Sequence, residues 1–178
     1  MWKSIKKVLD RFLETLVALS MAVLTIDVTW QVITRFILKN PSSWTEELAT
    51  NLMIWVGLLG AAVALNYRAH LGIDYFVGKL GEKKRLWTET FVYLSISLFA
   101  ICVMLLGGLR MVTITFRFGQ LMPALKIPAG YVYLAVPVAG IFLTIYSVEF
   151  LIETLYKLKR IGNRPDAPVI KLNQNKAS

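Results

Sequence analysis

Residues Leu48 to Leu65 read LATNLMIWVGLLGAAVAL, a run of 18 positions without a charged side chain. At a rise of about 1.5 Å per residue, such a run is close to the length that crosses the roughly 30 Å hydrocarbon core of a bilayer. Three further apolar runs of membrane-spanning length extend from Leu16 to Leu38, from Trp87 to Leu109 and from Ile127 to Leu155. None shows the period of two that a membrane β-barrel wall requires. The sequence therefore predicts an all-α integral membrane protein with four transmembrane helices.

The composition of the 178-residue chain agrees with this prediction. Hydrophobic residues make up 56% of it and charged residues 17%, whereas soluble domains have about 45 to 50% and about 25%. The net charge of +9 does not indicate a nucleic-acid partner, because the basic residues lie between apolar runs. One cysteine and one histidine exclude a CxxC pair and an HExxH zinc motif. Without a phosphate-binding loop or a nucleophile elbow, the sequence predicts no enzyme activity, metal or cofactor.

The distribution of lysine and arginine predicts the orientation of the helices. Fifteen of the 20 lie in the N-terminal segment, in the loop between spans two and three, or in the C-terminal tail. Because an excess of positive charge marks the cytoplasmic side, we predict that both termini are cytoplasmic. The apolar run after the N-terminal lysines is too long for a signal peptide and lacks a clear cleavage site, so it predicts a retained helix.

Three features are predicted at the start of the second helix. Residues 39–43 include Asn-Pro and Ser-Ser, which is typical of a tight turn. Ser43 and Glu46 have the spacing of a capping box, in which the serine and glutamate side chains bond to free backbone N–H groups. Trp44 lies at the predicted end of the span, where tryptophan anchors a helix in the membrane interface.

The longer connections lead to three more predictions. Residues 66–86 interleave apolar and charged side chains at helical spacing, which predicts a cytoplasmic amphipathic connecting helix that ends near Gly81 and faces anionic lipid headgroups. The third run keeps its helical pattern to about Phe118, so that helix must tilt or extend beyond the bilayer. The four-span domain comprises residues 1–160, and residues 161–178 form a polar cytoplasmic tail.

A polar stripe lies on the first predicted helix, where Asp27, Gln31 and Arg35 are spaced at i, i+4 and i+8. A carboxylate near the middle of a bilayer costs about 2.5 to 3.5 kcal/mol, so it needs a partner or a cavity. Asp27 could be a proton or ion site. It could equally make a polar contact that fixes helix packing, with Gln31 bridging toward Arg35.

A second stripe contains Arg110 and Arg117 near the outer end of the third helix. These arginines could pair with Glu46 or Glu47, contact acidic groups of a periplasmic or membrane partner, or extend to the outer membrane surface. We predict that a partner interface includes residues of both stripes and the two glutamates. The candidates are Asp27, Gln31, Arg35, Glu46, Glu47, Arg110 and Arg117.

Three segments resemble the DctQ-like small membrane subunit of tripartite ATP-independent periplasmic (TRAP) transporters. They are WTEELA at residues 44–49, NYRAHLGID at residues 66–74 and PALKIP at residues 123–128. The resemblance covers residues 10–160 and gives no ligand residue to transfer. Arg68, His70 and Asp74 match the second segment, and we interpret them as part of a structural turn at the cytoplasmic surface.

The resemblance implies a static scaffold subunit in the bacterial inner membrane. Its partners would be a larger membrane subunit, which carries the substrate and sodium sites, and a periplasmic binding protein. The cargo would be an organic acid such as a C4-dicarboxylate or sialic acid. The residues alone leave two alternatives open, namely a self-contained small carrier or proton channel that uses Asp27, and an accessory subunit of a membrane enzyme.

Overall fold

The computed structural model describes residues 2–40, 42–67 and 82–162, which are helical apart from short connections. The elements are α1 (Trp2–Phe36), α2 (Ser43–Asn66), α3 (Glu82–Phe99), a π-helical segment (Ala100–Gly107), α4 (Gly108–Arg117), α5 (Gly130–Tyr133) and α6 (Ala135–Gly162). Four helical stretches are long and apolar enough to cross a membrane, namely Lys6–Phe36, Ser43–Asn66, Lys84–Arg117 and Gly130–Arg160. The predicted fold of four transmembrane helices is therefore confirmed. The predicted connecting helix and most of the predicted tail lie outside the described residues.

The start of α2 differs from the prediction. The N-cap residue is Ser42, whose backbone is extended and whose side chain makes no capping hydrogen bond. Ser43 is consequently the first helical residue, and Glu46 lies one position beyond the N3 site that a capping box requires. The predicted capping box is therefore wrong. The hydroxyl of the fully buried Thr45 instead donates to the carbonyl of Ser42 at 2.8 Å.

The third membrane helix is one continuous rod formed by α3, the π-helical segment and α4. It ends at Arg117, which confirms the prediction of a helix that continues well past Leu109. The π-helical segment was not predicted. It packs against α6, where a Cβ added to Gly140 would lie 2.8 Å from the Cβ of Met104. Only glycine permits this close approach of the two helices.

The fourth membrane helix is interrupted at Leu134, between α5 and α6. Pro137 has no N–H, so the carbonyl of Tyr133 receives no α-helical hydrogen bond from it. The α-helical pattern resumes with the N–H of Val138, which donates to the carbonyl of Leu134 at 3.1 Å. The interruption thus lies about one turn before Pro137, at the carbonyl that the proline leaves without a donor.

The helices pack side by side, with α1 against α2, α2 against α6, and α6 against α3 and the π-helical segment. Since α6 has neighbours on both sides, it is the central helix, and the fully buried Tyr146 lies on it. We call the end of the bundle that holds Trp2, Tyr67 and Glu82 the terminal end. The opposite end, with residues 37–40, Ser42 and residues 118–129, is the loop end.

Candidate partner interface

The connection between α4 and α5 is a closed loop of residues 118–129 at the loop end. The N–H of Met122 donates to the carbonyl of Ile127 at 2.9 Å, which brings the two sides of the loop together. Gly119 and Lys126 turn the chain with φ values of 59° and 55°. Positive φ values are uncommon for a residue that has a side chain, as Lys126 does. The loop thereby presents the exposed Lys126 away from the bundle.

Glu47, near the start of α2, holds this loop in place. Its Oε2 accepts hydrogen bonds from the N–H groups of Ala124 at 2.9 Å and Leu125 at 2.7 Å. One turn later, the side-chain amide of Asn51 donates to the sulfur of the buried Met122 at 3.1 Å. Glu47 therefore binds backbone groups of its own chain and does not pair with either of the arginines of the second stripe.

Glu46, the neighbouring glutamate, is exposed to its surroundings. Its backbone carbonyl accepts a bond from the hydroxyl of Thr50 at 2.9 Å, and its carboxylate has no hydrogen-bond or salt-bridge partner in the part of the chain that the structure describes. Trp44 lies beside it with 47% of its surface exposed. The start of α2 therefore binds the half-buried Glu47 to the loop and leaves Glu46 exposed at the surface.

Five exposed basic residues lie at the loop end or on the helical turns that lead to it. They are Arg35, Lys39, Arg110, Arg117 and Lys126. None of the five forms a salt bridge within the part of the chain that the structure describes. The carboxylate of Glu47 is bound to backbone N–H groups of the loop. Its sequence neighbour Glu46 is therefore the acidic side chain that stays exposed at the start of α2. We refer to these five residues as the cationic surface.

The stripe on α1 is divided between the interior and the surface. Asp27 is only 6% exposed, and its Oδ2 is buried without a hydrogen-bond partner in the described residues. Gln31 is half-buried, and Arg35 is exposed. Eight residues of helix separate Asp27 from Arg35 by about 12 Å along the axis. Among the described residues, no hydrogen bond joins these three side chains into a bridge from Asp27 through Gln31 to Arg35.

A polar network at the terminal end was missed by the sequence analysis. Three side chains of α1, again at i, i+4 and i+8, link it to α2 and α6. Lys6 Nζ pairs with Glu149 Oε2, the Tyr146 hydroxyl donates to Asp10 Oδ1 at 2.6 Å, and the Tyr67 hydroxyl donates to Glu14 Oε1 at 2.7 Å. The hydrogen bond to Glu14 and its negative charge raise the pKa of Tyr67. The spacing on α1 could have indicated this network, but its partners lie far away in the sequence.

Arg68, His70 and Asp74 fall outside the described residues. Within the described ranges, no group of three or more histidine, cysteine or acidic side chains is arranged to hold a metal ion.

The fold and these polar groups can be compared with known proteins. Residues 24–156 match the family described as tripartite ATP-independent periplasmic transporters, DctQ component. The chain belongs to the DctQ family. The matched range of this DctQ-family protein includes Asp27, the Glu47-anchored loop and the whole cationic surface. Lys6, Asp10 and Glu14 precede it.

Individual relatives of this DctQ-family protein are TRAP transporter subunits. The sialic acid TRAP transporter small permease protein SiaQ of Vibrio cholerae serotype O1 is 30% identical over 161 residues, which are 90% of this chain and 91% of SiaQ. The C4-dicarboxylate TRAP transporter small permease protein DctQ of Rhodobacter capsulatus is 27% identical over 124 residues, 68% of this chain and 52% of that protein.

A third relative is a longer protein. The sialic acid TRAP transporter permease protein SiaT of Haemophilus influenzae is 39% identical over 75 residues, which are 42% of this DctQ-family chain but only 12% of SiaT. A segment similar to this small membrane protein is thus part of a much longer permease polypeptide.

Proposed function

We propose that this chain is the small scaffold subunit of a sodium-coupled TRAP transporter that imports an organic acid. Membership of the DctQ family supports the subunit role. The names of two relatives supply the two candidate substrate classes, sialic acid and C4-dicarboxylates. The substrate and sodium sites would belong to a larger membrane subunit. The SiaT match supports this partner, since there a similar segment belongs to the same polypeptide as a large permease.

We further propose that the chain lies in the bacterial inner membrane with its terminal end in the cytoplasm. The positive-inside rule supports this orientation, because most of the lysines and arginines lie in sequence segments before α1, between α2 and α3, or near and after the end of α6. The loop end, with the cationic surface and the Glu47-anchored loop, would then face the periplasm.

The observation that carries the partner assignment is the cationic surface. Its arginines and lysines are exposed and form no salt bridge within the described residues. An excess of exposed charge of one sign attracts a partner of the opposite sign and accelerates its association. We assign to this surface an acidic region of the periplasmic binding protein or of the large subunit. Arg110 and Arg117 belong to this surface, and the exposed Glu46 is a further candidate contact.

Charge reversal tests this assignment. The double variant Arg110→Glu and Arg117→Glu should slow association with the binding protein, measured by surface plasmon resonance on the reconstituted complex. The slowing should diminish as salt is added, because the attraction is screened. The matched control is Lys84→Glu, an exposed lysine at the terminal end. Equal association rates for the double variant and the control would contradict the assignment to the binding protein.

Co-purification tests the subunit role itself. An affinity-tagged chain, expressed with a candidate large TRAP permease subunit, should retain that subunit through size-exclusion chromatography in mild detergent. Recovery of the tagged chain alone, or with a membrane enzyme in place of a permease, would contradict the proposal.

One observation favours a second candidate function, a small carrier or proton channel that uses Asp27. Its Oδ2 is buried without a partner in the described residues, and ionisable groups at membrane depth often mark ion or proton pathways. Asp27→Asn keeps the side-chain shape but removes the ionisable group. The scaffold role predicts unchanged transport by the complex, whereas the carrier role predicts loss of flux with assembly intact.

A further inference from the structure

The central helix α6 has an apolar groove along one side. The groove has a volume of about 530 Å³, and its lining residues are Thr144, Ile145, Val148, Glu149 and Ile152. Their spacing of three to four residues places them on one stripe of the helix. From Thr144 to Ile152 the stripe extends for about 12 Å along the axis. The groove is therefore elongated in the direction in which lipid chains run through a bilayer.

The two polar residues of the lining are engaged within the protein. The hydroxyl of Thr144 donates to the carbonyl of Gly140 at 2.7 Å. Glu149 is paired with Lys6 of α1, so its charge is balanced. The rest of the lining is aliphatic. A polar solute would lose its hydration in this groove without gaining hydrogen bonds in return, whereas a hydrocarbon chain would lose nothing.

The same side of α6 becomes polar toward the terminal end. Tyr156, one turn beyond Ile152, is 72% exposed. Lys159 and Arg160 follow one turn later, also exposed, and neither forms a salt bridge within the described residues. Lys157, in contrast, pairs with Glu153 at 2.8 Å. Tyrosine is typical of the membrane interface, and lysine and arginine at that depth attract anionic headgroups.

We propose that this groove and these cations form a binding site for one anionic phospholipid. An acyl chain lies along the stripe from Thr144 to Ile152, and the phosphate lies beside Lys159 and Arg160. The apolar lining selects a hydrocarbon chain, and the two cations select a negatively charged headgroup. The site belongs to this chain alone and does not depend on the proposed transporter role.

Native mass spectrometry of the full chain tests the site. The protein is reconstituted in nanodiscs of equal parts phosphatidylglycerol and phosphatidylcholine and then released into the gas phase. We expect one phosphatidylglycerol molecule to remain on each chain. Val148→Trp fills the groove and should abolish this retention. The matched control is Ile26→Trp, which adds the same side chain to an apolar residue of α1 that is 70% exposed, and it should retain the lipid.

Headgroup selection is tested separately. Lys159→Gln and Arg160→Gln should each lower the preference for phosphatidylglycerol over phosphatidylcholine roughly 5-fold, because each cation near the surface contributes to anionic-lipid attraction. Lys157→Gln, which changes a lysine already paired with Glu153, should lower it less. These residues are exposed, so the variants are informative even if Val148→Trp does not fold.

Three results would overturn the proposal. The first is equal lipid retention by Val148→Trp and Ile26→Trp, and the second is an unchanged lipid preference in both charge variants. The third comes from a photoreactive benzophenone group at position 148 in whole membranes. Cross-linking to phospholipid is expected, and cross-linking to a second protein in its place would show that a partner helix covers the groove.

Discussion

Replacing Glu47 with alanine should release the loop of residues 118–129 from the start of α2. One carboxylate oxygen of Glu47 accepts two backbone N–H bonds, from Ala124 and Leu125. A hydrogen bond to a charged group contributes about 1.5 to 3 kcal/mol, and water can replace part of that at a half-buried site. We therefore expect closure of the loop to weaken by about 2 to 3 kcal/mol for the two bonds together. That change raises the open population about 30- to 150-fold.

Hydrogen–deuterium exchange on the full chain in nanodiscs measures this population, because amides exchange when the local structure opens. Peptides that contain Ala124 and Leu125 should exchange about 30- to 150-fold faster in Glu47→Ala than in the wild type. Glu46→Ala is the matched control, since its carboxylate makes no bond to the loop among the described residues, and its exchange should equal that of the wild type. Glu47→Gln keeps an acceptor oxygen without the charge and should be intermediate. Unchanged exchange in Glu47→Ala, or an equal increase in Glu46→Ala, would refute the reasoning.

Other substitutions test the packing of the helices through thermal unfolding in detergent. Tyr146→Phe removes a buried hydroxyl that donates to Asp10 and should lower stability by about 1 to 2 kcal/mol, whereas Tyr156→Phe, on an exposed ring of the same helix, should have no effect. Gly140→Ala places a Cβ against the π-helical segment and should cost about 1 to 3 kcal/mol through overpacking. Gly57→Ala has nothing within 4 Å of the new Cβ and should be neutral or stabilising by up to about 1 kcal/mol. Equal effects of the two members of either pair would contradict the packing described.

The four membrane helices could be predicted from the sequence because the length of an apolar run is a local property. The continuation of the third helix to Arg117 and the interruption associated with Pro137 are local in the same sense. The π-helical segment was beyond prediction, since residues 100–107 carry no composition that distinguishes them from an α-helix. In the folded protein this segment packs against Gly140 through Met104. Gly140 is far away in the chain, so the sequence of the segment does not reveal the contact.

The polar groups show the same division between local and distant information. The spacing of Asp27, Gln31 and Arg35 identified a stripe, but only the packing of α1 on α2 places the first residue inside and the third outside. Glu46 and Glu47 are neighbours with the same chemistry, and the sequence offered no reason to separate them. The loop that occupies Glu47 lies more than 70 residues later, so its role emerges only from the folded structure.

The central claim, that this chain acts as an obligate subunit of a TRAP transporter, is tested most directly by uptake into proteoliposomes. Vesicles that contain this chain and the large membrane subunit are supplied with the binding protein, an inward sodium gradient and radiolabelled sialic acid or C4-dicarboxylate. The account predicts uptake of one of these acids by the complete set and none when this chain, the large subunit or the binding protein is omitted. Sodium-driven uptake by this chain alone, or undiminished uptake without it, would contradict the account.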